Sequence, residues 1–394
     1  MDVLLNCRFF VFWLFTLAHT SQSFGQINSF YKFNEEINSL FLDKEQYSFA
    51  AWNYSFIGEY QKALEAYDKT SRKDNHSISD KEVALLLSDY KARPAAEYII
   101  ERSKNERIII INEAHHQPLH RVFTASLLQG LYESGFRYLG LEALAEDFLL
   151  NIRKWPQIGD GYYTSEPQFG NLIRKASRVG FTLFGYESTE KGRERELGQA
   201  RNILTILEKD PDAKILIHCG FGHVVEDGHP SLGKAMAGLV GELAGIDPFT
   251  IDQVEFSERS QGEHESVFYK NLTIDRATVF VDHRNQPLHY RPDCAYVDIS
   301  VFHPRTRFIS GRPDWLLRSN SWKAYQLEED LDLTFPSRIA AFHADENTTD
   351  AVPVDLVGLD DIHQKALILP PGDFILHIVD RTGNTKIEKI TVFD

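Results

Sequence analysis

The chain has 394 residues, 43% of them hydrophobic, which is enough for a sizeable core and more than one folding unit. Its 57 Asp and Glu residues against 42 Lys and Arg residues give a formal net charge of −15. This acidic balance argues against nucleic acid and anionic membrane surfaces as partners, because both attract basic clusters. A small-molecule substrate that is neutral or cationic remains compatible with it.

The first 25 residues have the features of an export signal. Arg8 is the only early positive charge, and residues 9–18 (FFVFWLFTLA) are almost wholly apolar. A small-x-small pattern, Ser23-Phe24-Gly25, precedes Gln26 as a cleavage point. The apolar run is too short to span a bilayer, and an uncleaved anchor is the less favoured alternative. We therefore expect an exported protein, periplasmic or secreted, with no stable membrane insertion after cleavage.

Residues 26–105 are predicted to be helical. Seven small or aromatic residues fall where a tetratricopeptide repeat places its packing residues: Ala51, Tyr54, Gly58, Tyr60, Ala63, Leu64 and Tyr67. A single repeat cannot bury its own apolar face, so we expect a helical hairpin packed on the main domain. The capping-box spacing of Ser79 and Glu82 predicts another helix start. Residues 95–103 continue the helical layer.

From about residue 106 to 335, strand and helix patterns alternate. Good helix formers occupy 119–134, 166–179, 193–208 and 232–244, between short apolar runs. Such alternation predicts an α/β domain whose mostly parallel sheet is flanked by helices. Thr250–Val254 and Tyr296–Val301 are candidates for further strands. Residues 336–394 lose the helices and predict a small β-sandwich-like domain with a hairpin around residues 380–384.

Five of the apolar runs end in an acid or an imidazole. They are 108–111 before Glu113, His115 and His116; 138–141 before Glu142; 181–186 before Glu187; 214–217 before His218; and 277–281 before Asp282 and His283. If all five are parallel strands of one sheet, these groups lie along its carboxyl edge, where open α/β sheets build their sites.

The Glu113-Ala114-His115-His116 segment is the most specific local feature. A carboxylate beside an imidazole fixes the tautomer of the ring and raises its basicity, as the activation of water requires. Adjacent histidines in an extended turn point in roughly opposite directions, so only one of them can face Glu113. Two surface histidines in a loop are the simpler interpretation of this pair taken alone.

Other candidates come from the later strand ends. Glu142 and Glu187 together crowd negative charge into one cleft, although either alone fits a salt bridge or a helix cap. His223 follows Gly220 and Gly222, so the backbone there can approach a ligand closely. Arg195 opens a helix and can pair with the glutamates or stabilise an oxyanion. His218 and Cys219 fit buried structural roles better than a ligand or a nucleophile.

Several common sites are absent from the sequence. There is no Gly-x-Ser-x-Gly elbow, no Walker loop and no dinucleotide fingerprint after the first strand. These absences argue against a serine hydrolase of the α/β-hydrolase type and against the usual nucleotide sites. Cys219 and Cys294 remain after cleavage of the signal, and a disulfide between them is left open.

Four ordered motifs resemble the erythromycin esterase-like superfamily, which includes haem-binding iron-regulated lipoproteins and Tiki-type metallopeptidases. They are Glu113-Ala114-His115-His116, the return from Gly135 to Glu142, residues 195–203 (RELGQARNI), and Gly220-Phe221-Gly222-His223. The resemblance implies that Glu113 and one of its two neighbouring histidines activate water. It also implies that Glu142 orients, Arg195 supports and His223 completes the site.

Two departures from the family pattern are visible. Asn112 stands where the family has glycine, and the late motif resembles the metallopeptidase Gly-x-x-His more than the esterase pattern. The leading hypothesis is an exported hydrolase that cleaves an ester or related acyl bond. It either needs no cofactor or uses a divalent metal. Glu142 and Glu187 would tune the histidine or hold the substrate. The alternatives are a haem- or metal-binding envelope protein, a Tiki-like metallopeptidase and a scaffold with a decayed site. Glu113, His116, Glu142 and His223 would be the metal ligands.

Overall fold

The computed structural model of the chain describes residues 30–70, 79–145, 148–289, 295–317, 321–327, 334–360 and 366–393. The expected export signal and Cys294 lie outside these ranges. Within them, no helix is both long and apolar enough to cross a membrane. Cys219 is a buried free thiol.

A six-stranded parallel sheet forms the centre of the molecule, in the spatial order β4-β3-β5-β2-β6-β8. Its strands are β2 (Ile108–Glu113), β3 (Tyr138–Leu141), β4 (Thr182–Gly185), β5 (Ile215–Gly220), β6 (Phe249–Asp252) and β8 (Ile299–Ser300). All five pairings between neighbours are parallel. The predicted α/β class with a flanked parallel sheet is therefore confirmed.

The isoleucine run of β2 explains why both faces of the sheet are covered. Ile109 and Ile111 pack into one core cluster, whereas Ile108 and Ile110 pack into another on the opposite face. All four side chains are fully buried. Each fully buried aliphatic side chain contributes about 1.5–3 kcal/mol to the free energy of folding, so these four isoleucines stabilise the packing on both faces of the sheet.

Eleven α-helices are present in the described residues. They are α1 (Asn34–Leu40), α2 (Tyr47–Phe56), α3 (Tyr60–Asp68), α4 (Asp80–Leu87), α5 (Ala95–Ser103), α6 (Leu119–Glu133), α7 (Phe148–Arg153), α8 (Pro167–Val179), α9 (Gly192–Lys209), α10 (Met236–Ala244) and α11 (Val267–Lys270). Helix α8 shows how its sequence sets its bounds: the Glu166 side chain accepts from the Phe169 N–H, and Gly180 ends the helix at φ +112°. The four crossing helices predicted from the sequence are α6, α8, α9 and α10.

One predicted strand does not belong to the central sheet. β7 (Thr278–Val281) pairs antiparallel with β1 (Lys91–Pro94), which interrupts a region predicted to be wholly helical. The placement of Asp282 and His283 at the sheet edge was therefore wrong. The Asp282 carboxylate instead accepts the backbone N–H groups of Arg284 and Gln286 within its own turn.

The N-terminal helices share a core with the C-terminal region. Ala51 and Phe56 of the α2–α3 hairpin pack in one cluster with Phe342 and Leu356. Gly58, at φ +74°, makes this close approach possible, because a Cβ there would lie 2.7 Å from the Leu356 carbonyl oxygen. No sequence pattern indicates that these distant segments meet.

The C-terminal region is antiparallel. A four-stranded sheet in the order β13-β12-β15-β16 joins β12 (Ser337–His343), β13 (Asp355–Leu359), β15 (Gly372–Asp380) and β16 (Thr385–Val392). The pairing of β15 with β16 is the hairpin predicted around residues 380–384. The shorter strands are β9 (Phe308–Ile309), β10 (Arg312–Pro313), β11 (Lys323–Tyr325) and β14 (Leu367–Leu369).

Candidate active site

The carboxyl ends of β2, β3 and β5 bring the predicted side chains together at Gly220. Glu113 and Gly220 are register partners at the ends of neighbouring strands, and Glu142 directly follows β3. A Cβ built on Gly220 would lie 2.7 Å from His115 Nε2 and 3.4 Å from Glu142 Oε2. The His115 ring and the Glu142 carboxylate therefore both lie next to Gly220, which has no side chain to separate them.

Glu113 lies at the buried end of the site, 1% exposed, and both of its oxygens are hydrogen-bonded. Arg121 donates to them from Nε (2.6 Å) and Nη2 (2.7 Å), in a two-pronged contact. His218 Nε2 lies 2.8 Å from Oε2, and His115 Nδ1 lies 2.8 Å from Oε1. Burial alone would raise the pKa of Glu113, but the Arg121 charge and these hydrogen bonds hold it well below its usual range. Glu113 is therefore a carboxylate.

Arg121 connects Glu113 to a second buried acid. Its Nη1 donates to Glu166 Oε2 at 2.9 Å, and the guanidinium is fully buried. Burial raises the pKa of Glu166 despite the Arg121 charge, so this acid is the more easily protonated of the two. Because Glu166 also caps α8, the helix and the site share one ionic cluster.

The two adjacent histidines separate into different environments. The His115 ring contacts Glu113 through Nδ1 and lies with Nε2 towards Gly220, and its side chain is 12% exposed. His116 is 1% exposed, stacks on Tyr67 with ring centroids 3.8 Å apart, and has no partner for Nδ1 among the described residues. Burial and the Arg259 charge lower its pKa well below the usual range. His115 is the histidine of the site, and His116 packs against the helical hairpin.

Aromatic rings hold His115 in place. Tyr163 stacks on the imidazole at 3.9 Å between centroids, and Phe221 meets it edge-on at 5.0 Å. Trp52, on α2, lies 5.3 Å from the Tyr163 ring and 6.3 Å from the His115 ring. The N-terminal helical segment thus forms part of the wall of the site.

Arg195 links the two later glutamates. It donates to Glu142 Oε1 from Nη2 (2.8 Å) and to Glu187 Oε1 from Nε (2.9 Å). The second Glu142 oxygen accepts the Gly220 N–H at 2.6 Å. Burial raises the pKa of Glu142, but the His223 and His115 rings, the Gly220 N–H and Arg195 together lower it below the usual range. Glu187 is more exposed, at 38% of its side chain, and lies at the outer side of the cluster.

His223 forms a second imidazole–carboxylate pair. Its Nδ1 lies 2.8 Å from Glu196 Oε2, and its Nε2 lies 2.9 Å from Arg195 Nη1. Since arginine only donates, this contact requires an unprotonated Nε2. Burial opposes the charged ring, yet the Glu196 hydrogen bond and the Glu142 charge outweigh it and raise the pKa of His223. On acidification the ring takes a proton at Nε2 and loses its contact with Arg195.

Asn112 does not enter the site. Its Nδ2 donates to Asp252 Oδ1 (2.7 Å) and to the Phe221 carbonyl, and its Oδ1 accepts the Gln253 N–H. Asn112, which stands where the resembled family has glycine, therefore ties β2 to β6. Its amide is part of a buried hydrogen-bond network with Asp252 and Gln253.

The donor set does not fit a divalent metal ion. The described residues contain no group of three or more His, Cys, Asp and Glu side chains arranged to hold one. Of the four residues expected as ligands, His116 packs on Tyr67, and the oxygens of Glu113 are taken by Arg121, His115 and His218. A cation would also have to enter beside the charged Arg195 guanidinium, which already occupies Glu142 and His223.

Sequence reasoning missed several members of the cluster, although signals for two of them existed. His218, interpreted as a structural core residue, is buried but bonds directly to Glu113. Side chains alternate between the two faces of a strand with a period of two residues. His218 therefore lies on the same strand face as Leu216, and Glu113 lies on the same strand face as Ile111. Arg121 lies on a helix face that is otherwise buried, where an unpaired charge is very costly. Glu166, Tyr163, Trp52 and Glu196 had no comparable signal.

No family model and no curated protein matches the chain. Among solved structures, the type III effector HopBA1 is similar, with 11% identity and a TM-score of 0.30, over 41% of this chain and 86% of that one. Two chains described as bacterial protein toxins show 15% and 13% identity with TM-scores of 0.26 and 0.30. Each covers 50% of this chain, which spans less than half (44%) of the toxin chains. Similarity at this level carries no argument about function.

Proposed function

We propose that this protein is an exported hydrolase of the erythromycin esterase-like type, which cleaves an ester or a related acyl bond. One observation carries the proposal: His115 bonds to the Glu113 carboxylate through Nδ1, while its Nε2 faces Gly220 beside Glu142 and Arg195. A neutral imidazole held in this way is a general base for water.

The proposed reaction begins with His115. Because Glu113 accepts the Nδ1 proton, the lone pair lies on Nε2, where it takes a proton from a water molecule that attacks the acyl carbon. Glu113 then stabilises the imidazolium, as the carboxylate of a catalytic triad does. Arg121 and His218 keep Glu113 ionised and fixed in orientation.

Arg195 is the group best placed to stabilise the oxyanion. It has five N–H donors, of which four contact Glu187, Glu142 and His223, and the fifth, on Nη1, has no partner among the described residues. Its side chain is 29% exposed, so a substrate oxygen can reach it. After bond cleavage, the protonated His115 returns its proton to the leaving alkoxide, and an acid and an alcohol are released.

The metal-dependent alternatives are the less well supported ones, because the arginines occupy the carboxylate oxygens that a cation would need. A Tiki-like metallopeptidase would lose activity with a chelator, whereas the proposed hydrolase keeps it. Haem binding predicts a Soret absorption band in the purified protein after addition of haemin.

The experiment that tests the proposal is a hydrolysis screen of p-nitrophenyl esters and lactones, with and without EDTA. We expect His115→Asn to lower kcat/KM by about 10²–10⁴-fold, the range of general-base catalysis. Glu113→Gln should also lower kcat/KM. His116→Phe is the matched control: the neighbouring ring keeps its stacking on Tyr67, and activity should stay near that of the wild type. Undiminished turnover in His115→Asn would end the proposal.

A further inference from the structure

A groove separate from the candidate active site lies between α6, α8 and the C-terminal region. Its volume is about 640 Å³. None of the residues that line it belongs to the candidate active site, which we call the His115 cluster and which consists of Glu113, His115, Arg121, Glu142, Arg195, His218 and His223. This volume is typical of small-molecule pockets, which span about 300–1,000 Å³. We call it the basic groove.

The charge of the basic groove is opposite to that of the whole chain. Its lining includes Arg174, Lys175 and Arg178 and contains no Asp or Glu, although the chain carries a net charge of −15. Arg174 is neutralised by Glu346, which contacts it at 2.7 Å. Lys175 and Arg178 form no ion pair within the described residues. Two uncompensated cations one helical turn apart attract an anion.

A buried amide adds to this preference. Gln168 also lines the groove and is 4% exposed, and its Nε2 has no hydrogen-bond partner among the described residues. Its Oε1 accepts from Asn171 at 3.3 Å, so the amide presents its donor rather than its acceptor. An unpaired buried donor in the lining of the same groove favours an oxygen acceptor.

Part of the remaining wall is apolar, and the rest is formed by polar side chains that include Ser126, Gln129, Ser321 and His343. Leu172, Val122 and Leu316 line the groove together with the Trp322 indole. A bare inorganic anion would leave this wall in contact with water, whereas a ligand with an apolar tail covers it. The tail and the charged head are thus both specified by the lining.

We propose that the basic groove binds a small amphipathic carboxylate, with its head group at Lys175 and Arg178 and its tail along the apolar wall. The planar guanidinium of Arg178 matches a carboxylate with two parallel hydrogen bonds. The site is independent of the proposed hydrolysis, because it shares no residue with the His115 cluster.

Calorimetric titration of the full chain with dodecanoate, below its micellar concentration, tests this proposal. We expect one site per chain, with no binding of dodecyltrimethylammonium and much weaker binding of acetate. The Lys175→Met/Arg178→Met double variant should bind dodecanoate at least about tenfold more weakly, because charge-assisted hydrogen bonds are lost. Arg276→Gln, which removes an exposed cation outside the groove, is the matched control and should bind like the wild type.

A second variant addresses the tail. Ala125→Trp fills the groove without removing a cation and should abolish dodecanoate binding, while the ester hydrolysis rate stays unchanged and shows that the variant is folded. The proposal is overturned if dodecanoate does not bind, if the double variant binds it as tightly as the wild type, or if acetate or the cationic amphiphile binds equally well. Retained binding in Ala125→Trp would also overturn it.

Discussion

Gly220→Ala is the most direct perturbation of the candidate active site. The backbone at Gly220 has φ −88° and ψ 143°, a conformation open to every residue, so alanine causes no backbone strain. Its methyl group, however, would lie 2.5 Å from His115 Cε1 and 2.7 Å from Nε2. The strand cannot easily retreat, because Gly220 is in parallel register with Glu113. The imidazole must therefore move.

The size of that movement sets the expected effect. Two non-bonded carbon atoms rest about 3.5–4.0 Å apart, so the ring has to shift by roughly 1 Å or more. A misplacement of about 1 Å in a reacting group costs on the order of 10²-fold in rate. We expect kcat/KM for the best ester of the screen to fall by about that factor in Gly220→Ala, with little change in the urea midpoint.

Gly222→Ala is the matched control for this experiment. It adds the same methyl group two residues later, where the nearest atom is His229 Nε2 at 2.6 Å, outside the cluster. We expect activity near that of the wild type. If Gly220→Ala is folded and hydrolyses esters as fast as Gly222→Ala, the assignment of His115 Nε2 as the base is refuted.

Three further predictions concern stability, each measured by urea unfolding. Arg121→Met should lower the free energy of unfolding by about 3–5 kcal/mol, because it leaves two buried acids without their cation. The control Arg93→Met removes an exposed ion pair and should change the free energy of unfolding by at most about 1 kcal/mol. Equal effects of the two substitutions would contradict the assignment of Arg121 to a buried ionic cluster. His223→Asn should lower the free energy of unfolding more at pH 5.5 than at pH 9. The pKa of His223 is raised in the folded state, so this residue contributes stability that is complete below its pKa in the unfolded chain. That stability is lost as the pH rises through the pKa of His223 in the folded protein. A pH-independent cost would contradict this. Burial and the charges of Asp298 and Asp247 raise the pKa of Glu226 to about 7, against the Thr250 hydrogen bond, so Glu226→Gln should gain stability over the wild type as the pH rises from 5 to 8; a constant difference would contradict this.

The sheet edge was predictable because its signal is local. Four consecutive buried isoleucines, 108–111, identify a strand covered on both faces. In a parallel sheet, the acid at the end of this strand, Glu113, then lies at the same edge as Glu142. The same logic failed for the predicted run at residues 277–281, because its strand, Thr278–Val281, pairs antiparallel with β1. Apolar periodicity identifies a strand and not the sheet it joins.

The partners that give the site its chemistry were less predictable. Arg121 and Glu166 lie 45 residues apart, and only the packing of α6 against α8 brings them into contact. Trp52 reaches the His115 ring from α2, which lies outside the four motifs that carry the resemblance, and Tyr163 reaches it from a short 3₁₀ turn. Such contacts depend on tertiary packing, for which a single sequence has no periodic signal.

The two imidazole–carboxylate pairs show why sequence alone could not assign the base. His115 with Glu113 and His223 with Glu196 have the same Nδ1 contact, at 2.8 Å in both cases. They differ at Nε2, because Arg195 lies 2.9 Å from the Nε2 of His223, whereas the Nε2 of His115 faces Gly220. The Nε2 lone pair of His223 already accepts from a guanidinium and is not free to bind a water molecule, so the position of one arginine directs the proposed proton transfer to His115. In the proposed reaction, the same arginine, held between Glu142 and Glu187, is the oxyanion donor.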